Sequence, residues 1–246
     1  MNFSLKEFFH HPAIPISANI SKTLINHFQD GSVEFIYNKY GYRTYDFDNI
    51  TKHVVISGCS LTEGHGLNLN QTWHKKLEQL IGYNIINLAK GGSNAEFVSQ
   101  NLINWITSNL VNPTLVIAQW PNPFRATHWH NNKAQFILNQ SSDDLYRAKV
   151  KAGDENFYLT WIKSIISLND VCRFYNIPIL NICFEGQSAV EPSLDILKQH
   201  SINLHLDLKL PGKTWHFDSN AFDKNHHSEW CNEQWANRVL TLLKSM

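Results

Sequence analysis

The stretch VVISGCSLTEGHGL, Val54 to Leu67, decides how this chain is read. The β-branched residues Val54, Val55 and Ile56 mark a buried strand, which runs through Ser57 into Gly58-Cys59-Ser60 and a polar, glycine-rich turn. Two nucleophilic side chains thus sit side by side at a strand end. Successive side chains on extended backbone alternate in direction, so Cys59 and Ser60 face opposite ways, and a lone cysteine is more often buried than reactive. Ser60 is therefore read as the chemical group.

Outward from that strand the pattern alternates. HVVIS (53–57), NIINLA (84–89), TLVIAQW (114–120), IPILNICF (177–184) and INLHLDL (202–208) read as strands. Helical spacing of apolar residues runs through 71–81, 94–110, 155–176, 192–200 and 229–245. Strand, helix, strand, repeated, implies helical crossovers between parallel strands. The expected architecture is a three-layer α/β fold with a mainly parallel sheet of about five strands. Residues 1–50, rich in aromatic and turn residues, read as an N-terminal extension packed on the core, and 51–246 as the main domain. Pro121, Pro123 and a run of His, Asn and Ser make 121–153 an insertion or lid.

Composition narrows the function classes. Lys plus Arg (21) balances Asp plus Glu (21), so no basic field exists to collect nucleic acid or anionic lipid. Cys59, Cys172, Cys183 and Cys231 are far apart in sequence, which fits neither a disulfide framework nor a zinc ribbon. The N-terminus carries Glu7, His10 and His11 where an export signal needs an apolar run, and no apolar run approaches membrane-spanning length. A cytoplasmic protein that does not enter membranes is the expectation.

In parallel α/β sheets, ligands bind beyond the carboxyl ends of the strands. Ser60, Gly91-Gly92 and the segment QWPNPFR (119–125) each follow such an end. Near the C-terminus, FDKNHHSEW places Asp223 three residues before His226. Ser60, His226 and Asp223 then provide nucleophile, base and orienting carboxylate, the set that acyl transfer requires. The backbone N–H groups of Ser60 and Gly92 and the side-chain amide of Asn122 are the candidate oxyanion donors.

With these blocks in view, the chain resembles the SGNH, or GDSL-type, serine hydrolases. ISGCSLTEGHGL matches the family's serine block, INLAKGGSN its glycine block with Gly92 in register, and DKNHHSEWCNEQWA its Asp–His block, selecting Asp223 and His226. The resemblance implies a flavodoxin-like α/β/α sandwich and a serine esterase that cleaves an O-acyl ester, an O-acetyl carbohydrate among the candidates. It calls for no cofactor and no metal, and its partner is a small-molecule or glycan ester. Two departures stand out: Cys59 replaces the family's Asp, and WPNP (120–123) replaces Gly-x-Asn-Asp, keeping only Asn122.

Other readings stay open at this stage. The same triad serves an acyltransferase, and the altered third block fits a silent carbohydrate-binding or structural protein. Trp120, Trp129 and Trp215 read as sugar platforms or as packing. Arg125 reads equally as a substrate-carboxylate ligand or as a cap on the insertion. His128-x-His130 has metal-ligand spacing on a strand but sits in an apparent loop, and the adjacent His226-His227 pair is poorly arranged to share one ion.

Overall fold

The computed structural model describes residues 22–28, 31–44, 46–47, 51–108, 111–130, 133–137, 155–184, 187–206, 221–222 and 226–246. The chain enters through an antiparallel hairpin, β1 (Thr23–Phe28) and β2 (Gly31–Ile36). Then come β3 (His53–Ser57), a one-turn helix α1 (Ser60–Glu63), α2 (Trp73–Ile81), β4 (Asn84–Asn87), α3 (Ala95–Thr107) and β5 (Leu115–Trp120). A second antiparallel hairpin, β6 (Ala126–His130) and β7 (Lys133–Ile137), follows. The chain ends with α4 (Glu155–Phe174), β8 (Ile179–Cys183), α5 (Gln187–Gln199), β9 (Leu204–His205) and α6 (Glu229–Lys244).

The main sheet has the order β4-β3-β5-β8-β9, every pair parallel. β3 is buried along its whole length, as expected of a central parallel strand covered on both faces. Its pleat sorts the residues. Val54 and Ile56 join Ile85, Ile117, Leu180 and Ile182 against Trp73 and Leu77 of α2 and Trp235 and Val239 of α6. Val55, Ile86, Val116 and Ala118 face the other way, against Val98, Leu102 and Trp105 of α3 and Ile165 and Leu168 of α4. The expected three-layer α/β/α sandwich with five parallel strands is the observed fold.

Local chemistry sets the helix ends. Asn94 caps α3 by accepting the Phe97 amide at 3.0 Å, Ser228 caps α6 by accepting from Cys231, and α2 stops at Gly82 with φ +70°. Helix α5 begins five residues before the expected 192. Pro192 lies in its second turn, where the missing N–H removes one intrahelical bond without ending the helix. The segment around His128 and His130, read as loop, is strand β6 instead. Of the last strand, expected over 202–208, the described residues pair with β8 through Asn181–Leu204 and Ile182–His205, and residues 207 and 208 lie outside the described residues.

The N-terminal segment contributes directly to the core. Tyr42 and Phe47 belong to the α3–α4 side, where Phe47 meets Trp105 edge-on at 4.8 Å. His74 on α2 is buried as well; its Nε2 accepts from the Asn87 side-chain amide at 3.3 Å. Burial, aided by Arg43 and Lys75, holds its pKa well below the usual histidine value. The unfolded chain takes up that proton near pH 6.5 and the folded chain resists it, so stability is lost as pH falls below about 6.5. The expected slope is a little over ~1 kcal/mol per pH unit for this one group. Urea unfolding between pH 7 and 5 measures it, and His74→Gln should flatten it; an unchanged slope in the variant removes His74 as the cause.

Candidate active site

Three loops meet where the strand order reverses, beyond the carboxyl ends of β3 and β5. Ser60 follows β3, residues 90–93 follow β4, and Asn122 follows β5. The turn carrying Ser60 is stapled from both neighbours. Gln119 of β5 accepts the Cys59 amide at 2.9 Å and the Thr62 hydroxyl at 3.1 Å on one side-chain oxygen. On the other flank, the Gly58 carbonyl accepts the Ser93 hydroxyl at 2.8 Å and the Lys90 amide at 3.1 Å. The turn is held before any ligand arrives.

Gly58 leaves no spare room. A β-carbon there meets the Thr62 hydroxyl at 2.5 Å and the Gln119 side-chain oxygen at 2.6 Å. Gly58→Ala is therefore expected to break the Gln119 staple, costing about 1–3 kcal/mol of stability and, by moving Ser60, up to ~100-fold in turnover. Urea midpoint and kcat measured on one preparation check both. A variant with wild-type kcat would show the staple to be dispensable.

Cys59 is 1% exposed, whereas Ser60 is half-buried at the first position of α1. The Ser60 Oγ lies 2.9 Å from His226 Nε2, across 166 residues of sequence. His226 precedes the cap of α6, whose position is fixed by Asn232: its side-chain oxygen accepts the Trp73 amide at 2.9 Å and its Nδ2 donates to the Ser228 carbonyl at 2.9 Å. His227 packs edge-on against Trp235 at 4.7 Å.

Gly92 adopts φ +79°, a left-handed backbone open chiefly to glycine, which turns the loop after β4 back over the site. Asn122 Oδ1 accepts the Phe124 amide at 2.9 Å, fixing its side chain within the loop after β5. Trp120, a candidate sugar platform, is completely buried and donates its indole N–H to Asn181 at 3.0 Å. It supports the loop from below and is not a ligand surface. Arg125 follows in the same loop, with Nε and Nη1 enclosed and without hydrogen-bond partners. Asp223 and Trp215 lie outside the described residues, as do the side chains of Trp129, His128 and His130. Among the described residues no cluster of three or more His, Cys, Asp or Glu is arranged to hold a metal, and no helix is long and apolar enough to cross a membrane.

No protein-family model matches the sequence, and no curated protein matches it. Solved structures do. A member of the lipolytic G-D-S-L family from Veillonella parvula superposes with TM-score 0.51 at 13% identity, over 80% of this chain and 100% of that one. A psychrotrophic esterase from Pseudoalteromonas sp. gives 0.53 at 12%, over 79% and 98%. An acetyl xylan esterase from the rumen bacterium Butyrivibrio proteoclasticus gives 0.51 at 10%, over 82% and 66%. The chain has the SGNH-hydrolase fold. At such identities the likeness is one of fold, so the chemistry of this SGNH-fold protein rests on its own site.

Two site residues were missed in the sequence. Glu63 and His65 form a carboxylate–imidazole pair at 2.7 Å, and the His65 ring lies 5.4 Å from that of His226. The spacing Glu-x-His within the turn was the available signal.

Proposed function

We propose that this protein is a serine esterase that cleaves O-acyl esters through an acyl-enzyme. The observation that carries the reading is the 2.9 Å contact between Ser60 Oγ and His226 Nε2 at the switch point of the sheet. A serine hydroxyl attacks a carbonyl only when a base takes its proton, and this imidazole is in place to do so. In the proposed sequence Ser60 adds to the ester carbonyl while its proton moves to His226. Collapse of the tetrahedral intermediate expels the alcohol, which takes that proton. Water, deprotonated by the same His226, then releases the acid.

Asp223 is assigned to hold the His226 ring in one tautomer and to stabilise the imidazolium. The amides of Ser60 and Gly92 and the side-chain amide of Asn122 are assigned to the oxyanion, each worth about 3 kcal/mol of transition-state stabilisation. Support for the Ser60 and Gly92 roles comes from the staples that tie both loops to the Gly58 turn. Arg125 is assigned to the substrate side of the loop after β5, where a guanidinium suits an anionic or carbonyl oxygen.

A fluorophosphonate probe, which is trapped only by an activated serine, tests the assignment. Labelling of Ser60 is expected, located by mass spectrometry, with a rate that falls on acidification as His226 takes up a proton. A folded protein that stays unlabelled from pH 6 to 9 sinks the esterase reading.

A further inference from the structure

The Glu63–His65 pair is built on the same logic as the acid–imidazole half of a triad, yet the esterase mechanism does not use it. Glu63 is 1% exposed, and every side of its carboxylate is engaged. One oxygen accepts His65 Nε2 at 2.7 Å and the Gly91 amide at 2.5 Å; the other accepts the Tyr37 hydroxyl at 3.3 Å and Lys90 Nζ at 3.2 Å. Burial opposes ionisation, but His65, Lys90 and the Gly91 amide outweigh it and hold the group at about 2. An ionised carboxylate only accepts, so the hydrogen in its contact with His65 resides on Nε2.

That assignment fixes the other ring nitrogen. In the neutral ring Nδ1 is a lone-pair acceptor. Among the described residues Nδ1 has no hydrogen-bond partner, and the side chain is 38% exposed. The ring itself is held rigidly, edge-on to Phe35 at 5.7 Å and tilted 50° to His226. Gly91 makes room for it, since a β-carbon there comes within 2.6 Å of His65 Nε2. A fixed acceptor therefore stands beside the imidazole that must hand its proton to the leaving alcohol.

We propose that His65, oriented by Glu63, is a specificity-determining residue whose Nδ1 accepts a hydrogen bond from a hydroxyl adjacent to the ester oxygen, selecting acylated polyols over alkyl esters. The inference rests on the esterase reading and adds a substrate class to it. Only the alcohol side is adjacent to His226, and a vicinal hydroxyl is the donor a polyol ester carries there.

The matched probes are 2-hydroxyethyl acetate and propyl acetate, which differ by a hydroxyl in place of a methyl. Wild type is expected to favour the hydroxyl ester roughly tenfold in kcat/KM, the value of one well-placed hydrogen bond. Glu63→Met removes the carboxylate that keeps the hydrogen on Nε2, so the ring is no longer fixed and Nδ1 is no longer a dedicated acceptor. His65→Phe keeps the ring and removes the nitrogen. Both should bring the ratio to within about twofold of unity.

Nitrogen-15 spectra of labelled histidine should show the Nε2–H tautomer for His65 in wild type and the loss of that single tautomer in Glu63→Met. A wild-type ratio near one, or a ratio unmoved in the variants, overturns the inference while fluorophosphonate labelling of Ser60 still stands. Absence of that labelling removes the esterase reading and the inference with it. Should a variant not fold, the wild-type ratio and the wild-type tautomer decide the matter.

Discussion

Ser60→Ala is expected to lower ester cleavage by about 10⁴- to 10⁶-fold and to abolish fluorophosphonate labelling. The variant removes one oxygen from a half-buried position, so the fold should persist, with a thermal midpoint within a few degrees of wild type. Ser60 and His226 share one hydrogen bond and act as a unit. His226→Ala should therefore cost nearly as much, and the double variant little more than either alone. Steady-state rates for the three proteins give the test. Costs that multiplied in the double variant would mean that the two residues serve separate steps. Cys59→Ala supplies the contrast, because its thiol is buried against the core and its amide, which the Gln119 contact uses, is retained. A loss of labelling in Cys59→Ala alone would shift the nucleophile to the thiol.

Arg43→Met is expected to be the most damaging change outside the reacting residues, at about 3–5 kcal/mol of stability. Arg43 is 1% exposed and donates to four backbone carbonyls. They are Gly64 and Leu67 at 2.7 Å each, Glu34 at 3.0 Å and Glu63 at 3.3 Å. The guanidinium also lies 4.2 Å from the Phe35 ring centre. Burial lowers its pKa, with Glu63 opposing, to about 10, which leaves it charged at neutral pH. Met restores the volume but strands the four carbonyls, those of Glu63, Gly64 and Leu67 in buried contacts, and takes the nearby cation from Glu63. Urea titration should show the loss. Arg43→Lys, with one compact ammonium in place of a fork, should recover only part of it. A Met variant within ~1 kcal/mol of wild type would show that water takes over the carbonyls.

The two predictions mark what was readable in the sequence. β3 and β5 were legible because central parallel strands are continuous β-branched or apolar runs, and α3 and α6 because their apolar periods are long and capped. Ser60 and His226 were legible because each sits in a short block whose residue types are dictated by chemistry. Arg43 was not: its partners lie 9 to 24 residues away, and their carbonyls have no signature in sequence. Trp120 stays open in the sequence because an indole suits a core and a sugar equally well, and its burial and the Asn181 contact decide for the core. The N-terminal hairpin was readable in principle. Asp30-Gly31, where GSVEFI begins two residues after TLINHF, is a hairpin signal, but β1 is mostly exposed and its apolar residues do not alternate cleanly. Helix α5 starts before the expected 192 because a proline in the second turn costs one intrahelical bond without ending the helix.

All four cysteines are free and buried, among them the Cys59 that adjoins Ser60, and burial pushes the Cys172 thiol up to about 12. Thiol-directed reagents therefore meet an almost silent background in the folded protein. A single cysteine introduced at exposed Ser32, on the hairpin whose neighbour Glu34 is bound to Arg43, would carry a dye without competition from the native thiols. Such a reporter would allow the movement of the N-terminal hairpin to be timed against acyl-enzyme formation in one continuous optical trace.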